Sequence, residues 1–160
     1  MKKLAMAAVV VAVTTVLAGA IALAATGDNE GSRGPDDETR TLRFDVVFSP
    51  FNFLDLGEQG PTVGDETLFN DILKRNGKRA GKQAGFCKLT AITAEGFDVE
   101  CMQTISLPAG QITAQGLTTN APVKVIAVTG GTGSFVGAEG IVRLVEFGNG
   151  RGSLTVRLED

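Results

Sequence analysis

The sequence predicts one all-β domain of about eight short strands, a barrel or a sandwich, and three observations predict it. From Thr41 onward, short apolar runs are separated by glycine-containing turns. No stretch there repeats its apolar residues at helical spacing. The clearest runs alternate in polarity with a period of two, as strands with two different faces require. Leu42, Phe44, Val46 and Phe48 alternate with Thr41, Arg43, Asp45 and Val47, and Cys101, Gln103, Ile105 and Leu107 with Glu100, Met102, Thr104 and Ser106. Candidate strands fall at 41–48, 66–74, 83–92, 97–107, 110–116, 123–128, 138–147 and 153–159. Closing such strands into a barrel removes exposed edges, and eight strands leave an interior able to hold one small ligand.

Composition sets the limits. The 160 residues, 43% of them hydrophobic, suit a single core. All nine aromatic residues are Phe, and the chain has no His, Trp or Tyr. A His-based triad, a His-ligated zinc site and a His-held haem are therefore excluded. A net charge of −3 and a pI near 5.0 offer nothing to a phosphate backbone, so nucleic acid is not an expected partner.

In chain order, Met1-Lys2-Lys3 precedes an uncharged, Ala- and Val-rich segment from Leu4 to Ala25 that ends in small residues at Ala22-Leu23-Ala24-Ala25. A basic start, an apolar middle and an A-x-A-like end make residues 1–25 a signal peptide and the protein secreted. The alternative is a retained membrane anchor with the domain facing outside. Cleavage would remove Lys2 and Lys3 and take the formal charge from −3 to −5. Residues 26–40, with Gly27-Asp28-Asn29-Glu30-Gly31-Ser32-Arg33-Gly34-Pro35 and three acids after it, read as a solvated linker to a domain over 41–160. Their acids lack the alternating spacing and closing Glu of a calcium-binding EF-hand loop. Further on, the basic run Lys74-Arg75-Asn76-Gly77-Lys78-Arg79 reads as an exposed turn, with an anion-binding or membrane-surface patch as its functional alternative.

Two local features suggest chemistry. Thr129-Gly130-Gly131-Thr132-Gly133-Ser134-Phe135 has the glycine spacing of a dinucleotide fingerprint. That motif needs a helix after its glycines. Here Gly140-Ile141-Val142-Arg143-Leu144-Val145-Glu146-Phe147 follows, rich in β-branched residues and a strand by composition, so the block reads as a glycine-built corner between strands. The second feature is the pair Cys87 and Cys101. A hairpin turning at Ala94-Glu95-Gly96 with Ala91 opposite Phe97 sets the two thiols opposite each other on neighbouring strands, within reach of a disulfide if the pair is of the non-hydrogen-bonded kind. Export favours that bond. The alternative is two free thiols with Cys87 lining a pocket, where no His could activate it.

Four runs carry a family resemblance: Gly64-Asp65-Glu66-Thr67-Leu68-Phe69-Asn70-Asp71-Ile72-Leu73, Gly81-Lys82-Gln83-Ala84-Gly85-Phe86-Cys87, Gln111-Ile112-Thr113-Ala114-Gln115-Gly116, and Ala127 through Gly140. In order and spacing they resemble the plant allene oxide cyclases, and the last is also similar to the glycine block of plant dirigent proteins. The resemblance implies an eight-stranded antiparallel barrel with an apolar cavity, a homotrimer, a small apolar molecule as partner, and no metal or organic cofactor. Allene oxide cyclases close an unstable fatty-acid epoxide into a cyclopentenone, and dirigent proteins steer phenoxy-radical coupling. Position by position, the family's first-strand acid falls on Asp45 and its second-strand Asn on Asn70, which makes these two the catalytic candidates. Its pocket Cys falls on Cys87. Val47 stands where the family has a water-binding Asn, Thr118 where it has a pocket Tyr, and Ser49-Pro50 is a loose counterpart of its Ser-Pro. Val47, Cys87 and Thr118 are thus the expected ligand-pocket residues. With that Asn and Tyr replaced, the ground for the family's own cyclisation is removed.

Three functions remain open. The barrel could shape a reactive intermediate by apolar confinement, or bind and carry a small apolar molecule without a rate effect. It could also be filled by its own side chains and act through its surface. Asp45 also has a bland reading, an ion-paired network with Arg43 and Arg143 on one wall.

Overall fold

The computed structural model describes residues 39–159. The expected signal segment 1–25 lies outside the described residues, as does the expected linker apart from Thr39 and Arg40. Nine strands follow in chain order: β1 (Arg40–Val47), β2 (Asn52–Leu54), β3 (Glu66–Arg75), β4 (Lys78–Thr93), β5 (Gly96–Leu107), β6 (Gly110–Thr119), β7 (Val123–Gly131), β8 (Glu139–Glu146) and β9 (Arg151–Glu159). They form one antiparallel sheet in the order β1-β9-β8-β7-β6-β5-β4-β3-β2. Pairing of Asp45, Val46 and Val47 with Lys74, Leu73 and Ile72 brings β1 back onto β3 and closes eight of the nine strands into a barrel. The ninth, β2, is a short extension along the start of β3.

Alternation dictates which residues fill the interior. Leu42, Phe44 and Val46 of β1 are buried, as are Leu154, Val156 and Leu158 on the facing β9. Their neighbours Arg43, Asp45 and Arg157 are exposed. The strands run between two unlike ends. At one, the turns 76–77 and 108–109 and the glycine block come together; at the other lie β2 and the loops 48–51, 55–65, 94–95, 120–122 and 147–150.

The glycine block forms a corner, as its composition requires. β7 ends at Gly131, a single 3-10 turn spans Gly133–Phe135, and β8 begins at Glu139, with no helix of the dinucleotide-binding kind between them. Gly133 has φ 61, a conformation L residues rarely adopt. A Cβ on Gly131 would lie 2.5 Å from the carbonyl oxygens of Gln111 and Phe135. The corner is stitched to the β5–β6 turn by Thr132 N–H to Gln111 O (2.8 Å) and Ser134 N–H to Ala109 O (2.9 Å). This swings Phe135, 3% exposed, into the barrel end.

Two details differ from the sequence reading. The basic run contributes only Asn76-Gly77 to a turn. Their φ values, 51 and 74, suit a two-residue hairpin loop, so β4 starts at Lys78 rather than 83, and the bases flank the turn as strand ends. The β4–β5 hairpin pairs Ala91 with Asp98 and Ile92 with Phe97, so Ala91 is not opposite Phe97. A bulge at Thr90 then restores the register, and Cys87 does face Cys101. The bulged Thr90 hydroxyl donates to Asp98 O at 3.0 Å.

Candidate functional site

Below the glycine corner the barrel is solid, with Phe44, Leu73, Ile105, Ile112 and Phe135 in one apolar cluster. Toward the opposite end the same inward-facing rows open into a cavity of about 470 Å³, within the range of small-molecule sites. Its aromatic wall is Phe48, Phe69 and Phe97, with Phe51 and Phe53 at the rim and the Cys87–Cys101 pair at one side.

The floor is polar. On β3 the inward row runs Thr67, Phe69, Asp71 and then Leu73 of the core, and on β4 Gln83 pairs in register with Asp71. Asp71 is 2% exposed. Its Oδ1 accepts from Ser49 N–H (2.9 Å) and from the Ser49 hydroxyl (3.1 Å), and its Oδ2 accepts from Gln83 Nε2 (2.9 Å). The Ser49 oxygen in turn accepts from the Asn70 N–H at 3.1 Å. Three donors satisfy the carboxylate that burial would otherwise destabilise. Gln103 lines the floor beside them.

A second carboxylate shapes the rim. Asp65 accepts from Leu56 N–H (2.9 Å), Thr62 N–H (2.7 Å) and the Thr62 hydroxyl (3.1 Å). The Thr62 and Leu56 amides hold its pKa below the ordinary carboxylate value against the opposing effect of burial. Together Asp71 and Asp65 anchor the segment that carries Phe51, Phe53 and Pro61 over the opening. At the mouth, Lys124 Nζ lies 2.6 Å from Glu146 Oε1 and donates to Ala121 O at 2.9 Å. Among the described residues no three His, Cys, Asp or Glu side chains are placed to share a metal ion.

The sequence-predicted site residues divide. Thr118 and Cys87 line the cavity. Cys87 is disulfide-bonded to Cys101, with Cα atoms 4.0 Å apart, so it is not a free pocket thiol. Asp45 and Val47 are on the other face of β1: Phe44 and Val46 take the interior, and alternation sends their neighbours out. Asp45 is exposed, and among the described residues it pairs with neither Arg43 nor Arg143, so the expected network is not formed. The side chain of Asn70 is also exposed, because the inward row of β3 is the odd-numbered one. Asp71, Gln83, Gln103, Lys124 and Glu146 were missed. For Asp71 a signal existed: a carboxylate two residues from Phe69 and two from Leu73 stands on the apolar face.

The fold and cavity define a class, the closed antiparallel barrels packed at one end and hollow at the other. The chain belongs to the family of the allene oxide cyclase barrel-like domain, whose sequence pattern it matches over residues 43–157. Among solved structures it is similar to a pyocyanin demethylase, at 32% identity and a TM-score of 0.70 over 74% of this chain and 99% of that one. It shares its fold with an exo-specific intermolecular Diels-Alderase (13% identity, TM-score 0.63, 76% of this chain and 98% of that one). A pterocarpan synthase dirigent protein also has this fold (18% identity, TM-score 0.57, 76% and 83%). No curated protein sequence matches the chain.

Proposed function

We propose that this protein is exported, binds a small, mostly apolar ring molecule in its cavity, and holds it in a conformation that favours its reaction. The observation that carries this reading is the 470 Å³ cavity itself, walled by Phe48, Phe69 and Phe97 around a buried polar floor. Apolar walls supply affinity and a few fixed polar groups supply orientation. The barrel is not filled by its own side chains, which counts against a purely structural role. The 32% identity to a pyocyanin demethylase, spanning nearly all of that protein, supports a small ring compound as guest and a reaction as outcome. A carrier is the second reading. It is favoured by Asp71, whose oxygens are already engaged by Ser49 and Gln83.

Export rests on Met1-Lys2-Lys3 and the small residues at Ala22–Ala25. A homo-oligomer, a trimer by family resemblance, is supported as far as self-association by an apolar strip of Met102, Leu117, Val125 and Ile141 on the outside of β5–β8, each at least 37% exposed.

The test is a titration of the purified protein with pyocyanin, followed by mass analysis of the recovered ring compound. Saturable binding with a changed product supports the reaction, and binding with unchanged pyocyanin supports the carrier. Absence of saturable binding, together with a native mass spectrum of secreted protein free of any small molecule, overturns the cavity reading. The same spectrum reports cleavage near Ala24 or Ala25 and the number of subunits.

A further inference from the structure

The floor of the cavity contains an acceptor with nothing to accept from. Gln83 is 1% exposed; its Nε2 donates to Asp71 Oδ2 at 2.9 Å, while its Oε1 is buried without a hydrogen-bond partner. Turning the amide over does not repair this, because it would set the oxygen against the Asp71 carboxylate and lose the one bond it makes. Nor can Asp71 help, since its carboxylate acts only as an acceptor, toward the Ser49 N–H and hydroxyl and the Gln83 amide. Folded proteins leave few buried polar atoms unpaired, and one in a cavity wall is a place for a guest's donor. Gln83 is part of that wall, and the lining above it combines Phe, Leu, Val and Ile with Thr67, Thr118 and Thr119, and with Asn120, Lys124 and Glu146 toward the mouth.

Resting on the ligand-binding reading above, we propose that Gln83 Oε1 selects the guest. The cavity takes ring compounds with one O–H or N–H donor on the edge that reaches the floor. It discriminates against the same skeleton when that donor is capped or absent. Asp71 has a positioning role here, since its carboxylate fixes the amide with its oxygen free. The discrimination arises from the partner gained: a guest with a donor pairs a carbonyl that is unpaired in the free protein, whereas a guest without one forgoes that bond.

The experiment compares 2-naphthol, 2-methoxynaphthalene and naphthalene as guests of the purified protein, by fluorescence titration. The phenol should bind about tenfold more tightly than its methyl ether, the scale of one hydrogen bond to a buried acceptor. In Gln83→Met, which keeps the length of the side chain and removes its amide, that ratio should fall to about one while naphthalene still binds. Equal binding of all three guests by the unaltered protein overturns this proposal and leaves the cavity reading standing. So does a phenol preference that survives in folded Gln83→Met. Failure of all three to bind overturns the cavity reading and this proposal together. The comparison of guests on the unaltered protein decides the question even where the variant does not fold.

Discussion

The two ends of the barrel are made from the same alternating strands and do opposite things. At the glycine corner, connections are tight and one of them delivers Phe135 into the interior, where it completes the cluster of Phe44, Leu73, Ile105 and Ile112. The Arg75 and Arg40 guanidinium groups lie 4.8 Å and 5.1 Å from the ring centroids of Phe44 and Phe135 and cover them from the solvent side. At the far end the connection between β1 and β3 is long; its Phe48 joins the cavity wall, while Phe51 and Phe53 stop at the rim, 62% and 54% exposed. Strand patterning makes the tube. The loops decide whether an end is plugged or hollow.

Removing one Phe from each end separates the two roles. Phe135→Ala should cost about 3–5 kcal/mol, the range for deleting a buried aromatic ring, read as a lower denaturant midpoint. Phe53→Ala, at a half-exposed position, should cost under about 1 kcal/mol and instead weaken guest binding. Equal losses of stability would mean that the hollow end is as tightly packed as the corner.

Acid provides a smaller and more local probe. Asp65 has its folded pKa lowered by the Thr62 and Leu56 amides. Its contribution is therefore fully present above the unfolded carboxylate value of about 4, and is lost as pH falls through the lowered folded value. Hydrogen exchange at Leu56 and Thr62 should accelerate over that window, ahead of the amides of Thr132 and Ser134 in the glycine corner. Simultaneous exposure of both regions would show that the rim has no independent stability.

The smallest effect is expected at Asp45. Its carboxylate is on the outer surface, so Asp45→Asn should change stability by less than about 0.5 kcal/mol and leave guest affinity unchanged. A severalfold change in affinity would mean that the outer face of β1 communicates with the cavity.

These contrasts mark what was legible in the sequence. Short apolar runs between glycine turns, with clear alternation over 41–48 and 100–107, revealed the eight barrel strands to within a few residues at most ends, because one buried face imposes its period on the chain. The cysteine pairing was legible too, although the turn-end register was offset by the Thr90 bulge, which no composition signal marks. β2 was not legible: three residues among turn-formers carry no period. The site was read less well than the fold. Asp45 and Asn70 were chosen by family position, whereas Phe44 and Val46 already claimed the interior of β1. Asp71 and Gln83 are adjacent only across β3 and β4, and that register had to be seen before a polar floor could be recognised.

The cystine in the cavity wall bears on chemical inertness. Thiolates trap electrophiles, whereas a disulfide offers no thiolate to attack with. With Cys87 and Cys101 joined, no free thiol stands among the described residues, and the chain contains no imidazole. Oxidation thus passivates the vessel. An electrophile that entered the cavity would meet phenyl rings and a cystine rather than a thiolate, whereas with the disulfide reduced Cys87 would face it as a free thiol open to alkylation.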